Sequence, residues 1–180
     1  MTRIATVTAD SAVPSVQQMY SAVQKKLGRV PNLMQTLGHS PAALGGYLAL
    51  NQALSEGELS AKDRERIALA VAQYNDCGYC LAAHSAIGKM TGLTEEHIHS
   101  VRLGQLPPSP QQALLAFVQQ VLDNRGHVSN ADVEEIRTSG YSDGAIAEIV
   151  AHISLNVLTN YFNGVAETEI DFPQVDALPV

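Results

Sequence analysis

Tryptophan is absent from this 180-residue chain, and tyrosine and phenylalanine together supply only 5% of it. A core without many large rings has to be built from Ala, Leu, Val and Ile, which suits closely packed helices. Runs alternating Val, Ile, Thr and aromatic residues are also missing, and that argues against a sheet. Basic charge is scarce: 11 Lys and Arg stand against 18 Asp and Glu, a net charge of −7. Holding a phosphate backbone takes a clustered positive surface, so no nucleic acid partner is expected. No apolar stretch reaches the ~18 residues of a membrane span. The stretch "TRIATVTADSAVPS" after Met1 lacks the apolar segment of a secretion signal. The expectation is a cytoplasmic protein with no membrane partner. Cysteine occurs only twice, and in the cytosol a close pair is more often catalytic or metal-binding than a structural disulfide.

What is present is helical periodicity. "VPSVQQMYSAVQKKLG" puts Val16, Met19, Tyr20, Val23 and Leu27 at helical spacing and stops at Gly28. "SPAALGGYLALNQAL" starts with Ser40 as cap and Pro41 at the first position. "SAKDRERIALAVAQYN" is capped by Ser60, and from Ile67 to Ala72 it is apolar on every face, predicting burial all round. "LTEEHIHSVRLG" reads as a short helix from Thr94 to Gly104, and "LPPSP" as a joint. Three helices follow: "PQQALLAFVQQVLDNRG", "SNADVEEIRTSG" capped by Ser129, and "SDGAIAEIVAHISLNVLTNYFNGVA". The apolar face predicted for the last comprises Ile146, Ile149, Val150, Ile153, Val157, Leu158 and Tyr161. The fold class is therefore all-α, in one domain over residues 1–180, with 1–13 as an N-terminal extension and 171–180 as an extended tail.

Both cysteines lie in "NDCGYCLAAHS", residues 75–85. Asn75 and Asp76 break the preceding helix, and either can cap the next. Cys77 then falls in the first turn, where backbone N–H groups and the helix dipole favour a thiolate. Cys77, Cys80 and His84 share one helix face, with His84 one turn beyond Cys80. If the flanking helices form an antiparallel hairpin, Glu65 lies roughly 15 Å down the first and His84 roughly 12 Å down the second. The two then meet side by side: Glu65 orients His84, and His84 exchanges a proton with Cys80, the base-plus-orienter arrangement of nucleophilic catalysis. Two other readings stay open. The thiols are inert and buried, or Cys77, Cys80 and His84 hold zinc with a fourth ligand from Asp76, His152 or another subunit.

Glu65, Cys77-Gly78-Tyr79-Cys80 and His84 reproduce the pattern E-x11-C-x-x-C-x3-H, which resembles the AhpD-like, carboxymuconolactone decarboxylase family. The stretches "LGRVPNLMQTLGHSPAAL", "YSDGAIAEIVAHISLNVLTNYFN" and "AETEIDFP" are similar to its peroxidase-related (alkylhydroperoxidase) branch. The resemblance implies an AhpD-like helical fold with the C-x-x-C at a helix N-terminus, assembled as a homo-oligomer (trimer or hexamer). It implies reduction of a hydroperoxide substrate: Cys80 attacks and becomes a sulfenic acid, Cys77 resolves it as a disulfide, and Glu65 and His84 relay protons. No bound cofactor or metal is implied; an external dithiol donor, a lipoyl domain or a thioredoxin-like protein, resets the pair. One position departs from the pattern. Where peroxidase members often carry histidine before the second cysteine, this chain has Tyr79, a good hydrogen-bond donor and a poor base. The competing reading, from another class, is a non-catalytic redox-sensing or zinc-binding oligomer on the same scaffold.

Other residues read more plainly. Tyr79 is as readily a packing residue with its hydroxyl at the surface. Glu65, between Arg64 and Arg66, also fits a solvated charge cluster. His152 is expected to be a hydrogen-bonded core histidine, His97 and His99 exposed, and Asn156, Asn160 and Asn163 part of an interface before a pocket.

Overall fold

A computed structural model describes residues 2–178. Met1 and the last two positions of the expected tail, Pro179 and Val180, lie outside the described residues. Nine helices are present among them: α1 Pro14–Leu27, α2 Asn32–Leu37, α3 Pro41–Ser55, α4 Ala61–Tyr74, α5 Gly78–Met90, α6 Glu95–Arg102, α7 Pro110–Asp123, α8 Asn130–Thr138 and α9 Asp143–Ala166. The AhpD-like all-α fold is thereby realised.

Local chemistry sets most of the boundaries. Ser40, Ser60, Thr94 and Ser129 each accept the backbone N–H three residues on, satisfying a donor the helix cannot. Ser129 closes a reciprocal box with Asp132. Gly28 ends α1 at φ +75°, a backbone region costly for residues bearing a Cβ. The helix α2 has no counterpart in the sequence reading. Its six residues are too few to show a period, but Leu33 and Leu37 are buried and anchor it.

The helix α4 is the hub, packed against α5, α6, α7 and α9. Its Ile67, Leu69, Val71 and Ala72 are fully buried and divide among three cores. Ile67 and Val71 join Leu114, Val118, Ile136 and Ile149 in a core with α7, α8 and α9. Leu69 meets Ile98, Val101 and Leu115. Ala72 faces the third core, where Val16, Tyr20, Leu37 and Leu44 pack against Cys77 and Cys80. The dithiol thus sits in an apolar wall between α1–α3 and α5.

The expected apolar face of α9 is only partly inside. Ile149 and Ile153 are buried, but Val150, Leu158 and Tyr161 are exposed. The inward face instead carries His152, Asn156, Thr159, Asn160 and Asn163, all buried. The asparagines therefore line the interior, not an external interface. No described helix is long and apolar enough to cross a membrane.

Candidate active site

The turn between α4 and α5 is built by its backbone. The N–H of Asp76 bonds to the carbonyl of Gln73, and that of Cys77 to the carbonyl of Ala72 at 2.9 Å. This is the paired 5→2 and 6→1 closure that ends a helix with a left-handed residue. The left-handed residue is Asp76, at φ +50°, a conformation Asp tolerates better than most. Cys77 follows immediately and is itself the N-cap of α5, in place of the expected Asn75 or Asp76. Its Sγ accepts the N–H of Cys80 at 3.3 Å.

The two sulfurs are 2.6 Å apart as free cysteines, both buried. Of the two thiols, Cys77 is the one whose ionised form its surroundings favour. The Cys80 thiol's hydrogen bond holds Cys77 below the ordinary thiol range. Burial opposes this, and the Cys80 N–H, the Asn163 amide and His84 reinforce it. Cys80 is pushed up, chiefly by its bond to Cys77, by burial and by the charge on Cys77.

Glu65 and His84 meet as the hairpin spacing requires: Nδ1 of His84 lies 2.9 Å from Oε2 of Glu65, both side chains largely buried. Burial draws the imidazole's pKa down, but the Glu65 charge, its hydrogen bond and the charge on Cys77 carry it above the ordinary value. Glu65 is thus part of the site rather than of a surface charge cluster. Arg66 is instead occupied by Asp63 and by His97, which is half-buried rather than exposed and accepts from Arg66 Nε at 3.0 Å. Among the described residues no hydrogen bond joins His84 to either sulfur. Its electrostatic coupling is to Cys77, where the sequence reading paired it with Cys80.

Tyr79 stands between the cysteines, but its hydroxyl is buried and taken. It donates to Asp171 Oδ1 at 2.8 Å and accepts the N–H of Leu33 at 3.1 Å. Burial pushes its pKa far up, and its ring meets Phe172 edge-on at 5.7 Å. Arg29 pairs with Asp171 and lies over the Phe172 ring, 4.2 Å from its centroid. Tyr79 therefore fastens the C-terminal segment across the start of α5. Tyr79→Phe leaves the Leu33 N–H without a partner and lowers stability by about 1–3 kcal/mol. Hydrogen exchange in residues 168–176 is expected to rise while both thiols stay oxidisable by peroxide. Loss of that oxidation would return Tyr79 to the proton relay.

Three residues beside the sulfurs have no place in the expected site: the sequence reading assigns Asn160 and Asn163 to an interface first and does not single out Tyr47. Asn163 donates from Nδ2 to Cys80 Sγ at 3.2 Å. Asn160 accepts from Asn75 at 3.0 Å and is also turned towards Cys80. Tyr47, from α3, is pushed up to about 12 by burial and by the charges of Cys80 and Glu65. Only partners distant in sequence reveal these roles. His152 is buried with Nε2 unpartnered, and burial and Arg64 draw its pKa down. Among the described residues no group of three or more His, Cys, Asp or Glu side chains is placed to hold a metal ion.

This geometry can be set against known proteins. Residues 41–123, which span α3 through α7 and so contain Glu65, Cys77, Cys80 and His84, match the model of the carboxymuconolactone decarboxylase family. Over this segment the chain resembles that family. Among solved structures, an alkylhydroperoxidase AhpD core described as a peroxidase-related protein, from Ralstonia eutropha JMP134, is 28% identical. The match covers 94% of this chain and 92% of that one, with a TM-score of 0.86. A peroxidase-related protein from Silicibacter sp. TM1040 shares the fold at 24% identity and TM-score 0.79, over 92% of this chain and 91% of the other. The debrominase Bmp8, in complex with 2,3,4-tribromopyrrole, shares it at 20% identity and TM-score 0.80, covering 95% and 92%. No curated protein matches the chain. The solved structures that share this fold are thus named for more than one chemistry.

Proposed function

We propose that the protein is a thiol-dependent oxidoreductase that reduces hydroperoxides through the Cys77–Cys80 pair. The observation that carries this reading is a buried dithiol, Sγ to Sγ 2.6 Å, at a helix N-terminus beside the Glu65–His84 ion pair. A pair so placed gains a thiolate at neutral pH and has its resolving thiol already in contact. The kinship with the Ralstonia peroxidase-related protein supports the same class.

The cycle begins with charge on Cys77 and a proton on Cys80. As a hydroperoxide approaches, that proton crosses to Cys77 and Cys80 becomes the nucleophile. An S–O bond forms at Cys80 while the O–O bond breaks; the departing alkoxide takes the proton of the His84 imidazolium. His84 then removes the Cys77 proton, Cys77 attacks the Cys80 sulfenic acid, and the S–S bond forms. The released hydroxide recovers the proton as water. A dithiol donor, a lipoyl domain or a thioredoxin-like protein, reduces the disulfide and is itself oxidised to its disulfide. The exposed Val150, Leu158, Tyr161 and Val165 of α9 supply an apolar strip suited to the expected homo-oligomer.

Treating the reduced protein with one equivalent of cumene hydroperoxide tests this. Both free thiols are expected to vanish, with a mass loss of about 2 Da and no added oxygen. Two thiols still titratable after exposure would overturn the proposal.

A further inference from the structure

Cys80 faces an unusual pair of amides. Asn163 is 4% exposed and Asn160 3% exposed, yet Asn163 Oδ1 and Asn160 Nδ2 have no hydrogen-bond partner. An unmatched buried polar atom destabilises a fold, so two beside the reacting sulfur call for a function. Their orientation is fixed. Asn75 Nδ2 donates both to the Val71 carbonyl and to Asn160 Oδ1, each at 3.0 Å, so Asn160 Nδ2 points away from Asn75. Asn163 Nδ2 already touches Cys80 Sγ at 3.2 Å.

We infer that Asn163 and Asn160 form a donor cradle that receives the negative charge on Cys80 and then the oxygen it takes from the hydroperoxide. The inference rests on the proposed peroxide chemistry and assigns what that chemistry needs at Cys80. Before the S–O bond forms, charge leaves the helix N-terminus at Cys77 and arrives on a sulfur in an apolar wall; as the O–O bond breaks, it passes to the departing alkoxide. The titratable groups coupled to Cys80 are Cys77 at the N-cap of α5 and Tyr47 on α3, neither of them cationic, and the nearby Glu65–His84 pair acts on Cys77. The two amides are the groups that favour charge there. Asn160 Nδ2 gains its missing acceptor when the sulfur carries oxygen, and Asn163 Oδ1 gains a donor when that oxygen is protonated. Preorganised donors placed where charge develops are an effective catalytic device. Asn75 acts through Asn160 as a positioning residue.

The test uses alkylation as well as peroxide. In a Cys77→Ser background only Cys80 reacts with iodoacetamide, and the pH midpoint of that reaction reports its ionisation. Adding Asn163→Leu, close in size but without polar atoms, is expected to raise the midpoint by about one unit, a tenfold loss of thiolate on the acid side. Asn160→Leu and Asn75→Ala are expected to shift it the same way. Thermal stability of Asn163→Leu should equal or exceed that of its parent, because an orphaned acceptor is removed. Asn163→Ala provides a second variant should leucine fail to pack. Trapping with dimedone after one equivalent of hydroperoxide should show a shorter-lived Cys80 sulfenic acid in each variant. Unchanged alkylation midpoints would overturn the cradle whatever peroxide does. Shifted midpoints with no peroxide oxidation in any variant or parent would instead overturn the peroxidase reading, and with it the oxygen-holding role.

Discussion

Serine at Cys80 is expected to abolish hydroperoxide reduction, whereas serine at Cys77 is expected to permit one turnover that stops at a sulfenic acid. The asymmetry follows from the positions of the two sulfurs. Cys80 is the sulfur that the Asn163 amide reaches at 3.2 Å, and in the proposed cycle it carries charge and oxygen away from the helix end. Cys77, as N-cap of α5, is the thiol whose ionised form is favoured, and in the proposed cycle it closes the disulfide. Removing the nucleophile takes away the whole catalytic unit, and the expected loss is about a thousandfold or more. Replacing Cys77 removes the hydrogen bond and the charge that raise Cys80, so Cys80 ionises more readily. Attack then proceeds, but no thiol is within reach to resolve the product. A burst of one equivalent of peroxide consumed per chain, with no steady state and a dimedone adduct on Cys80, is the expected record. An adduct on Cys77 in the Cys80→Ser protein, with none on Cys80 in the Cys77→Ser protein, would reverse the order of the two sulfurs.

Which parts of this were legible in the sequence depended on how local the cause is. Ser40, Ser60, Thr94 and Ser129 cap their helices through bonds three residues long, and the pattern reads directly. The Glu65–His84 contact was legible because a hairpin of two helices converts sequence spacing into depth. The turn that makes Cys77 a cap was hidden, because Asp76 occupies a left-handed position usually announced by glycine. Helix α2 was too short to show a period. The inward face of α9 ran against hydropathy: Asn160 and Asn163 are buried while Tyr161 is 61% exposed. Their reason for being inside lies 83 and 85 residues away, at Cys80 and Asn75. Tyr79 was ambiguous for the same cause, since its partner Asp171 is 92 residues distant.

Glu65→Gln is expected to narrow the pH window of peroxide reduction from both sides and to lower its rate near neutral pH by about 10²-fold, within the usual range for a proton-transfer group. Glutamine keeps an oxygen for Nδ1 of His84 and removes the charge, so geometry is largely spared. Burial, the largest influence on His84, then acts against a weaker opposition, and its pKa falls. The imidazolium that protonates the leaving alkoxide is lost at lower pH, drawing in the alkaline limb. With less charge on His84, one of the influences that depress Cys77 weakens, and the thiolate forms at higher pH, drawing in the acid limb. Stability responds to the same pair. Because the folded His84 pKa is raised, its stabilising contribution is fully present below the ordinary histidine value and is lost as pH rises through the folded one. Glu65→Gln should therefore destabilise the protein more on the acid side of that window than on the alkaline side. Single-turnover oxidation rates and thermal melts, each followed across pH for the wild type and Glu65→Gln, measure both effects. A parallel drop in rate with unmoved limbs would mean that Glu65 only supports the helix pair; converging limbs make it the residue that sets the charge on His84.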